Sequence, residues 1–243
     1  MQGEKAQIII TDPPYNCPIN GHVCGLGKIK HDEFENASGE MTEPEFAEFI
    51  SKFMQNLIKF SVDGSLHYLF MDFNGLNTLL NEGKRIYSEL KNTAVWNKGV
   101  GGMGAFYRSQ HEMVPIFKNG KAKHQNHIQL GKNGRYRTNV WDYSGIRVTN
   151  PGSLDLLRLH PTVKPVAMLH DILLDASSKN DVVLDCFGGS GSTLIAAERC
   201  KRRARLIEIS PRYCDVIIYR WRQETGKTAK LVKNYKELEN DVR

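Results

Sequence analysis

Residues 182–198 read VVLDCFGGSGSTLIAAE, and this stretch decides the fold. An apolar run that ends at Asp185 predicts a buried strand, and the apolar spacing after the glycines predicts a helix. Gly188, Gly189 and Gly191 let the backbone approach a ligand closely, beside helix amides that are free to bind it. No Gly-Lys-Ser/Thr follows, so this is not a phosphate-binding P-loop. The unit is typical of nucleotide-binding α/β proteins.

A carboxylate follows at a distance that suits a ribose. Glu208 lies 23 residues beyond Asp185, at the end of the next predicted strand. A carboxylate in that place can accept hydrogen bonds from both ribose hydroxyls. A solvated strand end is the other interpretation of Glu208.

Strand and helix patterns alternate along the rest of the chain. They predict a doubly wound, mostly parallel sheet covered by crossover helices, in one domain over residues 1–243. The predicted strands span 8–11, 65–71, 93–96, 112–117, 182–185 and 205–209. The predicted helices span 42–58, 76–90, 165–176, 193–199 and 211–224, and Thr42 with Glu45 forms a capping box for the first. Two segments rich in glycine and polar residues, 17–41 and 98–110, are predicted to be mobile loops.

Composition limits the class of protein. Of the 243 residues 40% are hydrophobic, and no apolar run approaches the roughly 18 residues needed to cross a membrane. The N-terminus lacks the pattern of a signal peptide. The five cysteines are odd in number and form no C-x-x-C pair, so neither a disulfide framework nor a metal site is predicted. We expect free thiols in a reducing, intracellular compartment.

Basic residues are concentrated in one segment. The formal net charge is +6, and the segment from Lys118 to Arg147 alone holds seven Lys or Arg against one acid, Asp142. Aromatic and amide side chains lie between them, which favours a phosphate-rich partner. A solvated basic face is the alternative interpretation.

The stretch TDPPYN at 11–16 directly follows the first apolar run. Pro13 and Pro14 remove two successive backbone donors, and Asp12 and Tyr15 flank them with a carboxylate and an aromatic ring. A rigid turn alone would account for the prolines. The flanking side chains favour a chemical role as well.

A further stretch, HPTVKP at 160–165, precedes the helix that leads into the glycine turn. By itself it predicts only the turn at which that helix begins. Its position makes Lys164 a candidate partner for a carboxylate on the ligand of the glycine turn.

TDPPYN, HPTVKP, DCFGGSGSTLIAAE and IEIS stand in the order and rough spacing of the amino DNA methyltransferases. With the D-P-P-Y motif ahead of the glycine motif, the chain resembles the β group of that family from about residue 7 to residue 225. WNKGVGGMGAFYRSQHEMVPIFKNG and NVWDY also look like segments of its members. The resemblance implies a Rossmann-like, S-adenosylmethionine-dependent methyltransferase fold.

One feature departs from the family pattern. Members usually carry another strand and helix upstream of D-P-P-Y, whereas ten residues precede Thr11 here. Either the chain is a fragment of a longer or fused polypeptide, or its sheet edge is completed differently.

The resemblance also implies methylation of the N6 amine of an adenine that is flipped out of double-stranded DNA. This amine is a poor nucleophile because its lone pair is delocalised into the ring. Asp12 would accept one amine hydrogen bond and the Pro13 carbonyl another, the two prolines would hold the turn rigid, and Tyr15 would stack on the base. The predicted catalytic residues are therefore Asp12, Pro13, Pro14 and Tyr15.

Cofactor roles follow from the resemblance in the same way. Phe187 would lie beside the methionyl and adenine parts of S-adenosylmethionine, Glu208 would hold the ribose, and Thr162 and Lys164 would hold the carboxylate. Asp185 would order the turn or meet the cofactor ammonium. The predicted cofactor site comprises Thr162, Lys164, Asp185, Phe187, Gly189, Ser190, Gly191, Ser192, Thr193 and Glu208.

Target recognition is expected in an inserted segment over residues 118–159, where the family carries such elements. Lysines there would contact phosphates, and amide and arginine side chains would read base edges. The predicted DNA-binding residues are Lys121, Lys123, Gln125, Asn126, Lys132, Asn133, Arg135 and Arg137. We also expect a symmetric homodimer, located in the cytoplasm at the bacterial nucleoid or in a phage-infected cell.

Three other functions compete with this hypothesis. Methylation of cytosine N4 presents a similar amine, but the family more often has Ser in place of Asp12 there. Modification of a planar amide in a protein would not need a dense basic segment. A DNA-binding module without catalysis would not need the intact Asp12 and glycine turn.

Overall fold

The computed structural model describes residues 1, 3–18, 37–102, 106–132, 134–145 and 163–232. The strands are β1 (Ala6–Thr11), β2 (Ser61–Leu69), β3 (Glu89–Asn97), β4 (His111–Lys118), β5 (Val140–Asp142), β6 (Val182–Asp185) and β7 (Arg203–Leu206). The helices are α1 (Glu43–Lys59), α2 (Leu76–Ile86), α3 (Val166–Ala176), α4 (Ser192–Arg199) and α5 (Pro211–Thr225), with one 3₁₀ turn at Gln129–Gly131. None of the helices in these ranges has the length and apolar character that a membrane crossing requires.

The strands form one sheet in the order β5-β3-β4-β2-β1-β6-β7. β1 pairs in parallel with β2 and β6, β6 pairs in parallel with β7, and β3 with β5. Among the strands of the described ranges only β4 is antiparallel to its neighbours. The predicted mostly parallel α/β sheet is confirmed.

The direction of winding reverses between β1 and β6. From β1 the chain passes through α1 to β2 on one side, and from β6 it passes through α4 to β7 on the other side. A crevice opens outside the carboxyl ends of the strands at such a switch point. We call this side of the sheet, where β1 ends at Thr11 and β6 at Asp185, the carboxyl edge. β3 also ends there, and β4 begins there, because Asn97 pairs with His111.

Both faces of the sheet are covered, as alternation along β1 requires. Ile8 and Ile10 belong to a buried cluster with the apolar face of α3, which includes Ile172. Ile9 points to the opposite face and belongs to a second cluster, with Ile50 and Met54 of α1. The central strand is therefore fully enclosed between two helical layers.

The capping box of α1 is present as predicted. The Glu45 carboxylate accepts hydrogen bonds from the Thr42 backbone amide at 2.8 Å and the Thr42 hydroxyl at 2.7 Å. The helix begins at Glu43. The local sequence determines this boundary because both partners lie within the first turn.

Several boundary predictions were wrong, and one strand was not predicted. The helix expected over 76–90 ends at Ile86, because residues from Glu89 onward pair with β4 across the sheet. The last strand ends at Leu206, so Glu208 follows the strand instead of closing it. The three residues of β5 were not predicted as a strand, although they form the sheet edge beside β3.

The loop predicted over 17–41 falls largely on residues 19–36, outside the described ranges. The segment that follows them is packed, since Ala37 is buried and the Asn16 side chain binds the backbone of Gly39 and Met41.

Candidate functional site

The TDPPYN turn leaves β1 at the carboxyl edge. The Asp12 carboxylate accepts hydrogen bonds on both oxygens, from the Tyr15 hydroxyl on Oδ1 and from Lys164 Nζ at 2.5 Å on Oδ2. Lys164 is 7% exposed, and it enters the site immediately before α3. The structure thus brings the TDPPYN and HPTVKP stretches into direct contact.

Two charged residues that the sequence did not reveal complete this arrangement. Glu112, on β4, lies 3.1 Å from Lys164 Nζ and accepts from the Tyr15 hydroxyl at 3.2 Å. Its other oxygen lies 2.7 Å from Lys98 Nζ. We call Asp12, Lys164, Glu112 and Lys98 the ion-pair chain, because acids and lysines alternate along it.

The pKa values of the two acids in the ion-pair chain are shifted in opposite directions. Burial raises the pKa of Asp12, and the Lys164 ammonium offsets only part of that effect. Burial also opposes charge on Glu112, but Lys164 and Lys98 together lower the pKa of that carboxyl. Burial disfavours the charged Lys164 as well, yet the two carboxylates raise the pKa of this lysine. Asp12 is therefore the acid that takes up a proton more readily.

Aromatic rings surround the ammonium of Lys164. The Nζ atom lies 5.3 Å from the centroid of the Phe70 ring and 5.7 Å from those of Tyr15 and Trp96. Cation–π attraction of this kind favours the charged lysine inside an otherwise apolar wall. The wall also offers flat surfaces beside Asp12.

The sequence contains a signal for Glu112. Strand β4 reads HEMVPIFK, and Glu112 is its one carboxylate among apolar residues. An acid in a central strand is costly to bury without partners. Such a position indicates a buried ion pair, but its partners Lys98 and Lys164 could not be identified without the fold.

Asp185 organises the glycine turn from its base. Its carboxylate accepts from the Thr11 hydroxyl at 2.8 Å, from the Thr193 hydroxyl at 2.6 Å and from the Phe187 amide at 3.2 Å. Burial outweighs these donors and raises the pKa of Asp185 to about 7. The Thr11 contact joins this turn to the start of TDPPYN.

The glycine turn has the backbone that its sequence predicts. Gly191 has φ +78°, and a Cβ there would lie 3.1 Å from side-chain atoms of Ile217. The helix α4 begins at the next residue without a side-chain cap on its first amides. Glycine is therefore required both for conformation and for packing against α5.

Glu208 meets the glycine turn although it lies beyond β7. One carboxylate oxygen accepts from the Gly189 amide at 2.6 Å and the other from the Ser210 amide at 2.9 Å. The Phe187 ring lies 5.6 Å from the ring of Phe53, a residue of α1. The structure therefore groups Glu208, the glycines and Phe187 around one turn at the carboxyl edge.

Arg220 of α5 supports the same turn from behind and was not predicted. Its guanidinium donates to the Ser190 carbonyl and, at 3.2 Å, to the Ser192 hydroxyl. Thr162, the remaining predicted cofactor residue, lies outside the described ranges.

The structure does not bring the predicted DNA-binding lysines to this site. β4 begins at the carboxyl edge and ends at Lys118 on the opposite edge, so Lys121 and Lys123 follow on that far side. The Ala122 amide between them donates to Asp63, near the start of β2. Lys132 is exposed, and Asn133 lies outside the described ranges.

The predicted base-reading side chains bind the protein itself. Arg135 and Arg137 both pair with Asp175 of α3, at 2.7 Å and 3.0 Å. The Gln125 amide donates to Asp181 at 2.7 Å, and the Asn126 side chain accepts from the backbone amides of residues 128 and 129. These contacts attach the segment to the fold.

Known proteins share both the sequence pattern and the fold. An N6/N4 methyltransferase family model described as a DNA methylase matches residues 6–219. The chain is 23% identical over 257 residues to the type II methyltransferase M.HpaI of Haemophilus parainfluenzae, covering 100% of this chain and 76% of that protein. It is 25% identical over 235 residues to the DNA adenine methyltransferase YhdJ of Escherichia coli K12, covering 86% and 74%.

Two solved structures share the architecture. The cytosine-N4-specific PvuII DNA methyltransferase matches with a TM-score of 0.68 at 14% identity, over 98% of this chain and 86% of that one. The complex of M1.HpyAVI with SAM matches with a TM-score of 0.63 at 20% identity, over 90% of each chain.

Proposed function

The chain belongs to the N6/N4 family of DNA methylases, as its four motifs predicted, and we propose that it methylates the N6 amine of adenine at a specific DNA site. One observation carries this proposal. The Thr11 hydroxyl binds Asp185 at 2.8 Å, so the TDPPYN turn and the glycine turn meet at the switch point of the sheet. A base held by the first turn would lie next to a cofactor held by the second.

S-adenosylmethionine is the cofactor that suits the glycine turn. It supplies an electrophilic methyl group on a sulfonium. The first amides of α4 carry no side-chain cap, so they are available to a ligand beside Glu208. Both Glu208 oxygens already accept one backbone amide each, so further lone pairs would receive the ribose hydroxyls. The similar M1.HpyAVI structure contains SAM.

Asp12 supplies the chemistry at the amine. Its carboxylate would accept a hydrogen bond from the amine in place of the Tyr15 hydroxyl or beside it, and would draw electron density onto nitrogen. The raised pKa of Asp12, which burial causes, makes the carboxylate a stronger acceptor than an exposed one. Pro13 and Pro14 hold this acceptor in place before the base arrives.

Lys164 was expected to bind the cofactor carboxylate, but in the structure it contacts two carboxylates of the protein. Its ammonium already binds Asp12 and Glu112, so its first role is to hold the catalytic carboxylate. The third donor of the ammonium meets the Tyr15 hydroxyl at 3.4 Å, and a cofactor carboxylate would have to displace this long contact.

Cytosine N4 is the second candidate acceptor. The similar PvuII structure is cytosine-N4-specific, and both amines are planar and poorly nucleophilic. Asp12 favours adenine, because the family more often has Ser at this position in cytosine-N4 enzymes.

DNA would be bound at the carboxyl edge, away from Lys121 and Lys123. The connection between β3 and β4 presents Phe106 and Tyr107, which are 96% and 80% exposed, with Arg108 exposed beside them. Flat rings and a guanidinium suit stacking with bases and contact with phosphates. This position is close in the chain to both Lys98 and Glu112.

The experiment is a direct product analysis. The protein would be incubated with double-stranded DNA and S-adenosylmethionine carrying a deuterated methyl group, and the DNA digested to nucleosides for mass spectrometry. We expect labelled N6-methyladenine. Labelled N4-methylcytosine would select the second candidate, and unlabelled nucleosides, with intact cofactor, would reject both.

A further inference from the structure

Glu112 is the one acid of the ion-pair chain that lies outside the TDPPYN, HPTVKP and glycine stretches. It is 9% exposed, and its two oxygens contact three different side chains: Lys164, Tyr15 and Lys98. A carboxylate with this many donors is held in one position. Its contact with the TDPPYN turn is through the Tyr15 hydroxyl and not through Asp12 itself.

Lys164 lies between the two acids and is closer to Asp12 than to Glu112. Lys164 Nζ lies 2.5 Å from Asp12 and 3.1 Å from Glu112. Without Glu112 the buried ammonium would have Asp12 as its one acidic contact among the described residues, and would pair fully with it. A fully paired carboxylate is a weaker acceptor toward an amine, because its charge is already neutralised.

We propose that Glu112 is a positioning residue for methyl transfer: by sharing Lys164 and binding the Tyr15 hydroxyl, it keeps Asp12 aligned and available to accept the amine hydrogen bond. This rests on the proposed function. Lys98 holds Glu112 from the other side, so the ion-pair chain has two acids and two lysines and its charges balance.

The titratable groups around Asp12 and its partners determine whether the pKa of Asp12 rises or falls when Glu112 is replaced. These groups, from six segments of the fold, are Tyr15, Asp72, Lys98, Glu112, Lys164 and Asp185. Replacing Glu112 by a neutral residue removes a nearby negative charge, so Lys164 stabilises the Asp12 anion more and the pKa of Asp12 falls.

Glu112→Gln is the test, with Glu89→Gln as its matched control. Glu89 also lies on a strand and pairs with a lysine, Lys91, at 2.9 Å, but it is at the opposite edge of the sheet. We expect kcat to fall about 10- to 100-fold in Glu112→Gln, while the KM for DNA and the Kd for S-adenosylmethionine stay within about twofold of wild type. Glu89→Gln should match wild type in all three.

The pH profile separates positioning from loss of structure. The acid limb of kcat should move to lower pH in Glu112→Gln, because the pKa of Asp12 falls. General destabilisation would lower kcat without moving that limb. Glu112→Asp keeps the charge, so its acid limb should stay at the wild-type pH while kcat drops through the shorter reach.

A second measurement does not depend on turnover. Carbon-13 NMR of the aspartate carboxyl groups, assigned with Asp12→Asn, should show a lower pKa for Asp12 in Glu112→Gln than in wild type. If wild-type protein transfers no methyl group, the proposed function fails even where this NMR shift is observed. If transfer is intact but kcat, acid limb and NMR titration of Glu112→Gln match wild type, the inference alone fails. Failure of both Glu112 variants to fold would assign Glu112 a structural role and also overturn it.

Discussion

The Thr11 hydroxyl and the Asp185 carboxylate meet at 2.8 Å, although they are 174 positions apart in the chain. Each residue ends a central parallel strand, β1 or β6, at the point where the winding of the sheet reverses. The contact places the TDPPYN turn and the glycine turn side by side. The geometry that we propose for methyl transfer therefore depends on strand pairing in the core.

Asp12→Asn should reduce kcat by at least about 100-fold, because the amide is a weak acceptor at the amine. Cofactor affinity, measured by titration calorimetry, should stay within about twofold, since Asp12 contacts no residue of the glycine turn through a hydrogen bond that the structure describes. Asp63→Asn is the control, because this acid binds the Ala122 amide at the opposite edge. Wild-type turnover in Asp12→Asn would remove Asp12 from the mechanism.

Gly191→Ala should weaken binding of S-adenosylmethionine and lower the free energy of unfolding by about 1–3 kcal/mol. The alanine would be strained at φ +78° and would press on Ile217. Gly134→Ala is the matched control, because Gly134 has φ +74° with open space around it. Chemical denaturation of both variants separates the packing effect from backbone strain. Equal losses would show that contact with Ile217 is unimportant.

Asp185 should make the protein less stable as the pH rises. Its pKa is about 7 in the folded protein because of burial, above the ordinary value for an aspartate. The folded state then binds more protons, so this contribution is complete below about pH 4 and is lost as the pH rises through 7, at no more than about 1.4 kcal/mol per pH unit. The difference between denaturation curves of wild type and Asp185→Asn, taken from pH 4 to pH 8, should show this slope. A flat difference curve would contradict it.

Arg137→Met should lower stability by about 1–2 kcal/mol and leave the preferred DNA sequence unchanged. The guanidinium binds Asp175, which is 4% exposed, and the Tyr143 hydroxyl. Lys132→Met changes an exposed residue of the same segment and should alter neither the stability nor the preferred DNA sequence. Thermal denaturation and sequencing of methylated DNA provide the two measurements. If Arg137→Met instead relaxes the DNA sequence preference without changing stability, Arg137 contacts base edges, as the sequence suggested.

Lys121→Ala and Lys123→Ala should leave DNA affinity and its salt dependence within about twofold of wild type, because both lysines lie at the edge opposite Asp12. Arg108→Ala should weaken binding and reduce the slope of log K against log salt by about 1. Fluorescence anisotropy at several salt concentrations measures both quantities. A reduced slope in the two lysine variants would place DNA on the basic segment after all.

Local patterns allowed much of this fold to be predicted. The capping box set the start of α1, and the apolar runs gave β1 and β6, because each signal lies within a few consecutive residues. The motifs also predicted that Asp12, the glycines and Glu208 share a site. Their order in the chain was sufficient, since parallel strands bring their carboxyl ends to one edge.

Other contacts between distant segments were not predicted. Glu112 is recognised as part of the site only through its ion pairs with Lys164 and Lys98. Residues 140–142 form a strand because they pair with β3. The basic segment looked like a nucleic-acid surface because charge is visible in sequence. The acids that neutralise its arginines, Asp171 and Asp175, lie on α3 and are separated from them by more than thirty residues.

The two halves of the ion-pair chain differ in the chain entropy that their closure costs. Lys98 directly follows β3 and Glu112 lies on β4, so their contact closes only the short loop of the β3–β4 hairpin. Lys164 reaches Asp12 across 152 residues, and Asp12 directly follows β1. The Asp12–Lys164 contact therefore costs more chain entropy to close than the Lys98–Glu112 contact, and it depends on the place of β1 in the sheet.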